Sequence, residues 1–170
     1  MASLELYIPK LKKVEGYGQY TNRPSDRGGP TMSGVTLATY RSFYGQDKTV
    51  ANLRAMTYAE WRHIFKAGYW DKAAADKIKN QSVAELIVDF CVNSGVSVLK
   101  RVQGLLGLLP DGIIGPKSIA AINNADQQLL YNAIMSDRRS KYFEIVAYSP
   151  GQRVNLAGWL NRLQTFKFKA

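Results

Sequence analysis

Apolar residues at helical spacing run through most of the chain, and this pattern constrains the fold more than any other feature. The most regular segment lies between Ser82 and Gly95, where apolar side chains recur every three or four positions. Ser82 and Glu85 form a capping-box pattern at its start, and Gly95 supplies the expected stop. No alternating segment longer than about four residues predicts a strand. The sequence therefore predicts a mainly α fold.

Other boundaries predict further helices along the chain. The first helix is expected to end close to Glu15. Later helices are predicted to begin after the capping residues Thr36, Thr57 and Asp126 and at Pro116. A last helix lies near the end of the chain.

The segment from Val14 to Thr36 interrupts this helical pattern. It is too rich in glycine, proline and asparagine to be regular structure, so we expect a small β-hairpin or an irregular loop after the first helix. Connecting segments often display functional groups. Glu15 and, in the same segment, Asp26 are the candidate reactive carboxyl groups.

Two carboxyl groups close in sequence suit the cleavage of a glycosidic bond. Such cleavage needs an acid with a raised pKa, which partial burial beside apolar groups gives to a glutamate. It usually also needs a second carboxylate or a positioned water, and Asp26 is the natural second group. The hydroxyl of Thr31 could orient either one, or could satisfy its own loop. From the spacing alone, a solvated helix-end glutamate and an ordinary turn aspartate are the favoured interpretation.

The balance of charge restricts the partners. The chain has 23 basic and 13 acidic residues and a net charge of +10, which favours nucleic acid, an anionic membrane face or an acidic cell-wall polymer. No nucleic-acid-reading motif accompanies the charge, so no nucleic acid is expected as a partner. No apolar run of about 18 residues predicts a membrane span. The N-terminal residues lack a signal-peptide pattern, so we expect synthesis in the cytoplasm and no stable membrane insertion.

The remaining reactive residue types point to scaffold roles. The one cysteine, Cys91, lies on the apolar face of its predicted helix, and the one histidine, His63, is expected to be structural or at the surface. No cluster of cysteine, histidine and carboxylate predicts a metal site, and no cofactor is expected. Arg138, Arg139 and Lys141 form a basic cluster on a predicted helix, which is either a solvated face or a contact with an anionic wall.

A series of motifs over nearly the whole chain resembles glycoside hydrolase family 108, the lysozyme-like N-acetylmuramidases of phages, prophages and secretion loci. The motifs are, in chain order, Glu15-Gly16, Pro24 to Thr31, Gly34 to Thr36, Tyr69 to Asp71, Asp89 to Gly95, Leu109 to Ser118 and Gly158 to Arg162. Asp26 to Thr36 matches the family signature Asp-x-Gly-Gly-x-Thr-x-x-Gly-Ile-Thr apart from one Val for Ile. The last two motifs resemble the peptidoglycan-binding region associated with the family.

The resemblance implies a lysozyme-like helical fold with a catalytic lobe over residues 1–95. A predicted peptidoglycan-binding lobe over residues 96–170 would pack with it into one compact body. Glu15 would be the catalytic acid, and Asp26 and Thr31 would support the reaction. One departure lies beside the acid, because Glu15-Gly16 is followed by Tyr17-Gly18-Gln19-Tyr20 where the family has Glu-Gly-Gly-Tyr. This indicates an altered loop next to Glu15.

Four further residues are candidates for binding the substrate. The rings of Tyr20, Tyr69 and Trp70 could stack on the apolar faces of sugars, although an aromatic residue is more often part of a core. Asn93 lies near the end of the most regular helix, where it could hydrogen-bond the helix end or the catalytic loop.

The favoured interpretation is therefore a muramidase that cleaves the β-1,4 bond between N-acetylmuramic acid and N-acetylglucosamine. A non-catalytic peptidoglycan-binding protein derived from the same family is the alternative, and a basic nucleic-acid binder is a third hypothesis that rests on charge alone. The expected partner is the peptidoglycan glycan strand. A holin or a secretion machinery would bring the protein to the cell wall or periplasm.

Overall fold

A computed structural model describes residues 1–22 and 28–170, and in these ranges the chain forms nine α-helices and one small antiparallel sheet. The helices are α1 (Leu4–Val14), α2 (Leu37–Tyr44), α3 (Val50–Arg54), α4 (Tyr58–Phe65), α5 (Gln81–Ser94), α6 (Leu99–Leu105), α7 (Pro116–Asn124), α8 (Gln127–Tyr148) and α9 (Arg153–Gln164). The strands are β1 (Tyr20–Thr21), β2 (Thr31–Met32) and β3 (Val35–Thr36). The predicted mainly α fold with a small sheet after the first helix is confirmed.

One compact unit spans Leu4–Gly68 and contains α1 to α4 and the sheet. The strands are hydrogen-bonded in the order β1-β2-β3, with Thr31 opposite both Thr21 and Thr36. Its core includes one face of α1 and the buried face of α4. The buried residues of these two helices are Leu4, Tyr7, Ile8, Leu11, Trp61, Ile64 and Phe65.

The second compact unit comprises Met1–Ser3 and Tyr69–Ala170. Helix α5 forms its centre, since every residue from Ser82 to Cys91 is buried. Helices α8 and α9 pack in the same unit. Helix α5 therefore belongs to the same compact unit as residues 96–170, while the division into lobes at residues 1–95 and 96–170 stays a prediction.

Most of the predicted helix starts are confirmed. Thr36 caps α2 by accepting a hydrogen bond from the backbone N–H of Thr39, and Thr57 and Glu60 form a complete capping box at α4. Asp126 caps α8, and Pro116 is the first residue of α7. Local side-chain chemistry fixes these boundaries, which explains why they could be read from sequence.

The predicted start of α5 at Ser82 is wrong. Asn80 is the capping residue, and its side chain accepts a hydrogen bond from the backbone N–H of Val83. Ser82 lies inside the helix, where its hydroxyl accepts a hydrogen bond from the backbone N–H of Lys169 at 3.0 Å. Asparagine caps a helix as well as serine does, and it stands first in the chain.

Cys91 is completely buried as predicted, and burial raises the pKa of its thiol to about 12. Within residues 1–22 and 28–170, even the longest helix, α8, lacks the apolar length that crossing a bilayer requires, and so do the others.

Candidate active site

The end of α1 determines where Glu15 lies. Its backbone N–H still donates to the carbonyl of Leu11 at 2.9 Å, so the helical hydrogen bonding continues to Glu15. Gly16 then turns into the left-handed region at a φ of +60°, and the N–H of Tyr17 donates back to the carbonyl of Lys12 at 2.9 Å. This is the glycine-dependent cap that commonly ends helices. It holds Glu15 directly after Val14, the last residue of α1.

The side chain of Glu15 lies against Gly34, in the turn between β2 and β3. A Cβ atom placed on Gly34 would collide with Oε2 of Glu15 and would lie 2.9 Å from its Cβ. Gly34 also has a φ of +79°. Glu15 is half-buried, and its Oε1 atom is buried. Only glycine allows this close approach between the turn and the carboxyl group.

Ser33, the residue before Gly34, joins three segments around Glu15. Its hydroxyl accepts a hydrogen bond from the N–H of Gly18 at 2.9 Å, and its N–H donates to the carbonyl of Gln19 at 2.8 Å. Its carbonyl accepts from the indole Nε1 of Trp61 at 3.0 Å. Ser33 is buried and left-handed, with a φ of +53°. It thereby connects the loop after Glu15, the β2–β3 turn and α4.

The structure describes two of the residues predicted to act with Glu15 in this unit, Thr31 and Tyr20. Thr31 lies in β2, and its hydroxyl donates to the carbonyl of Gly29 at 2.9 Å, which ties it to its own loop. Asp26 lies outside the described residues. Tyr20 lies in β1, half-buried, with the guanidinium of Arg54 4.8 Å from the centre of its ring. Glu15, Thr31 and Tyr20 thus belong to one compact unit.

The other predicted binding residues belong to the second unit. Tyr69 is half-buried. Trp70 is completely buried, and its indole N–H donates to Oδ1 of Asp76 at 2.6 Å. A completely buried ring has no exposed face on which a sugar could stack. The burial of Trp70 therefore does not support its predicted stacking role. The side-chain oxygen of Asn93 accepts a hydrogen bond from the hydroxyl of Tyr142 at 2.7 Å.

Arg138 is not part of a solvated basic face. Its side chain is completely buried, and it donates to Oδ2 of Asp89 at 2.6 Å and to the hydroxyl of Tyr142 at 2.6 Å. Arg162 donates to both carboxylate oxygens of Asp89, at 2.9 and 2.6 Å. Burial alone would raise the pKa of Asp89, but the two arginines outweigh it and lower the pKa below its ordinary value. Of the predicted cluster, Arg139 is exposed and Lys141 is half-buried.

Histidine and cysteine are the other reactive residue types in the chain, and each occurs once. His63 is exposed, and its Nδ1 lies 3.1 Å from the hydroxyl of Tyr44. In the described part of the chain, no group of three or more histidine, cysteine or carboxylate side chains could hold a metal ion. The carboxyl group of Glu15 is therefore the best-defined candidate for acid chemistry.

Sequence reasoning missed Ser33 and Gly34 as site residues. Both fall inside the Asp26–Thr36 segment that resembles the family signature, and this was the available signal. Their role depends on contacts with Glu15, Gly18 and Trp61 that no local pattern encodes.

Comparison with known proteins gives matches over almost the entire chain. Residues 9–95 match the family described as "Glycosyl hydrolase 108", and residues 94–164 match the "Predicted Peptidoglycan domain". A solved structure described as "Structure of Brucella abortus SagA" is similar to the chain with a TM-score of 0.77 and 26% sequence identity. The match covers 96% of this chain and 97% of that one. The sequence matches none of the curated proteins with which it was compared.

Proposed function

The chain belongs to the glycosyl hydrolase 108 family and is a lysozyme-like peptidoglycan hydrolase, and from this premise we propose that it is an N-acetylmuramidase with Glu15 as its general acid. The bond cleaved is the β-1,4 bond between N-acetylmuramic acid and N-acetylglucosamine. The observation that carries the proposal is the placement of Glu15. A helix cap fixes its backbone, and its half-buried carboxyl group lies against Gly34.

In the proposed reaction, Glu15 protonates the glycosidic oxygen as the bond to the sugar breaks. Positive charge develops on the ring that loses this bond, and a water adds to that ring carbon. The water gives its proton to the second carboxylate, or to Glu15 if the second carboxylate first bonds to the sugar and is then displaced. We assign the role of this second carboxylate to Asp26 and propose that Thr31 supports the reaction.

The second domain and the charge agree with a cell-wall substrate. The match over residues 94–164 is described as a peptidoglycan domain, which supports action at the cell wall or in the periplasm. The net charge of +10 favours adsorption to an anionic wall, and this adsorption should weaken as salt rises. We further propose that a holin or a secretion machinery delivers the protein, as for an endolysin or a secretion-associated muramidase.

The test compares the wild-type chain with Glu15→Gln on purified sacculi. The substitution keeps the shape of the side chain and removes its acid, so we expect fragment release to fall by about 10²- to 10⁴-fold. Turbidity gives the rate, and analysis of the fragments shows whether they end in reducing muramic acid. Glu5→Gln is the matched control, because Glu5 is an exposed glutamate on the same helix. It should retain activity.

Three other results would contradict the proposal. Equal lysis by wild type and Glu15→Gln would exclude Glu15 as the acid. Fragments that end in reducing N-acetylglucosamine would exclude the proposed bond. Binding of sacculi by the wild type without any release would identify a non-catalytic peptidoglycan-binding protein.

A further inference from the structure

Two partly exposed tyrosines and a lysine form one surface near Glu15. The side chains of Tyr17 and Tyr58 are 39% and 41% exposed, and their ring centres lie 6.1 Å apart in an edge-to-face arrangement. The ammonium nitrogen of Lys12 lies 4.6 Å from the centre of the Tyr17 ring and 4.2 Å from that of Tyr58. We refer to these three residues as the Lys12–Tyr17–Tyr58 surface.

The same helix cap that holds Glu15 builds this surface. Tyr17 is the residue whose N–H bonds back to the carbonyl of Lys12, so the cap brings the two side chains together. Lys12 precedes Glu15 by three positions, and residues at this spacing have Cβ atoms about 5–6 Å apart on a helix. Lys12 therefore lies one helical turn before the proposed acid, and Tyr17 lies two positions after it.

A buried tryptophan supports the two tyrosine rings. The edge-to-face distance from Tyr17 to Trp61 is 5.0 Å, and the ring of Tyr58 stacks on Trp61 at 6.0 Å. Trp61 is completely buried, and its indole N–H is anchored on the carbonyl of Ser33. The backbone of Tyr58 is also fixed, because Tyr58 is the first residue of α4 and directly follows the capping residue Thr57. Rigid, partly exposed aromatic rings lose little conformational entropy when a ligand binds.

The charge of Lys12 is available for an anionic ligand. Among residues 1–22 and 28–170, Lys12 forms no ion pair, and its ammonium group lies over the rings of Tyr17 and Tyr58. A carboxylate attracts a lysine more strongly than a tyrosine ring does. A ligand that joins an apolar ring face to a carboxylate is therefore complementary to the whole surface.

We propose that the Lys12–Tyr17–Tyr58 surface is a binding subsite for an acidic glycan strand. This proposal rests on the proposed muramidase function and deepens it, because it names where one part of the strand is held. The apolar face of a pyranose contacts the exposed parts of Tyr17 and Tyr58, and a carboxylate carried by the sugar pairs with Lys12. The altered loop after Glu15 supplies Tyr17 at the position where the family pattern has glycine, so the subsite belongs to this chain's own sequence.

The experiment measures binding by the full chain carrying Glu15→Gln, so that the glycan stays intact. One probe is glycan strands freed of their stem peptides, which keep the lactyl carboxylates of muramic acid. The other is neutral chitin oligosaccharides of the same length. Tyr17→Ala, Tyr58→Ala and Lys12→Gln are compared in this background, together with Tyr17→Phe, which keeps the ring.

Loss of a ring should weaken binding of both probes about fivefold, in line with the contribution of an aromatic contact. Lys12→Gln should weaken binding of the acidic strand alone, by about two- to fivefold as for an exposed ion pair. Tyr17→Phe should bind as the parent does. Leu6→Ala is the control, because Leu6 is 67% exposed and lies outside both matched domains. It should have no effect.

The two proposals can fail separately. If the chain with Glu15 intact releases fragments but Tyr17→Ala and Tyr58→Ala bind both probes as tightly as the parent, the subsite is wrong and the muramidase function stands. If the parent binds neither probe and the chain with Glu15 intact releases no fragments, both proposals fall. Melting temperatures show whether each variant is folded. If Tyr17→Ala is unfolded, the separate variants Tyr58→Ala and Lys12→Gln test the subsite.

Discussion

At the scale of single residues, Gly34 controls the geometry around Glu15 without any reactive group of its own. We predict that Gly34→Ala lowers the rate of sacculus hydrolysis by about 10²-fold, because a displacement of about 1 Å in a catalytic group has an effect of that size. The new Cβ would lie 2.9 Å from the Cβ of Glu15, which the helix cap holds in place. Turnover on sacculi and the melting temperature are measured together.

Gly107→Ala separates contact with Glu15 from backbone strain. Gly107 has a φ of +70°, and an added Cβ would meet nothing within 4 Å. Both variants should therefore lose stability through the left-handed conformation, by about 1–2 kcal/mol. Only Gly34→Ala should also lose activity. Equal activity of the two variants under folded conditions would show that Gly34 does not position the acid.

Single residues differ in how far the sequence alone predicts their surroundings. The end of the first helix close to Glu15 was predicted correctly, because the helix pattern and the neighbouring glycine are local features. Ser33 was not identified as a site residue, since it acts through Gly18, Gln19 and Trp61, which come from other segments. Arg138 was assigned to an exposed or wall-binding cluster for the same reason. Its partner Asp89 is 49 positions away, and only the tertiary structure brings them together.

At the scale of elements, helix boundaries follow their capping side chains. We predict that Asn80→Ala lowers the free energy of unfolding by about 1 kcal/mol, because it removes the acceptor for the backbone N–H of Val83. Asn80→Asp is the matched control. It keeps that acceptor while losing the donor that Asn80 extends to the carbonyl of Lys169. Denaturant unfolding gives the result, and equal losses in the two variants would mean that the cap is not the stabilising contact.

The elements that the sequence could predict are those with strong local signals. Thr36, Thr57, Asp126 and Pro116 each start the expected helix. The start of α5 was misplaced because Asn80 and Ser82 are both good capping residues, and Asn80 comes first in the chain. Ser82 lies against the backbone of Lys169, which only the folded chain supplies.

At the scale of the whole molecule, one buried ionic network connects α5, α8 and α9. It comprises Asp89, Arg138 and Arg162, and it extends through the hydroxyl of Tyr142 to Asn93. A buried carboxylate between two arginines stabilises the fold only while it is charged. The lowered pKa of Asp89 means that its stabilisation is complete above the unfolded value of about 3.9 and is lost as the pH falls through the lower folded value.

We therefore predict that the free energy of unfolding falls below about pH 4, and that Asp89→Asn reduces this acid dependence. The substitution should also lower stability at neutral pH by about 3–5 kcal/mol, because it leaves Arg138 buried without its counter-charge. Denaturant unfolding from pH 7 to pH 2 measures both effects. Asp47→Asn is the control, since Asp47 is exposed and should leave the acid dependence unchanged. The same acid dependence in both variants would contradict the role of Asp89.

The burial of Cys91 determines how the protein can be handled and labelled. Its thiol is inaccessible, and with a pKa of about 12 it holds almost no thiolate at neutral pH. The protein should therefore remain free of thiol-linked dimers in air. A maleimide dye would react only with a second cysteine introduced at an exposed position such as Tyr148. The native chain is thus already a background for single-site fluorescence on cell walls, with no cysteine to remove.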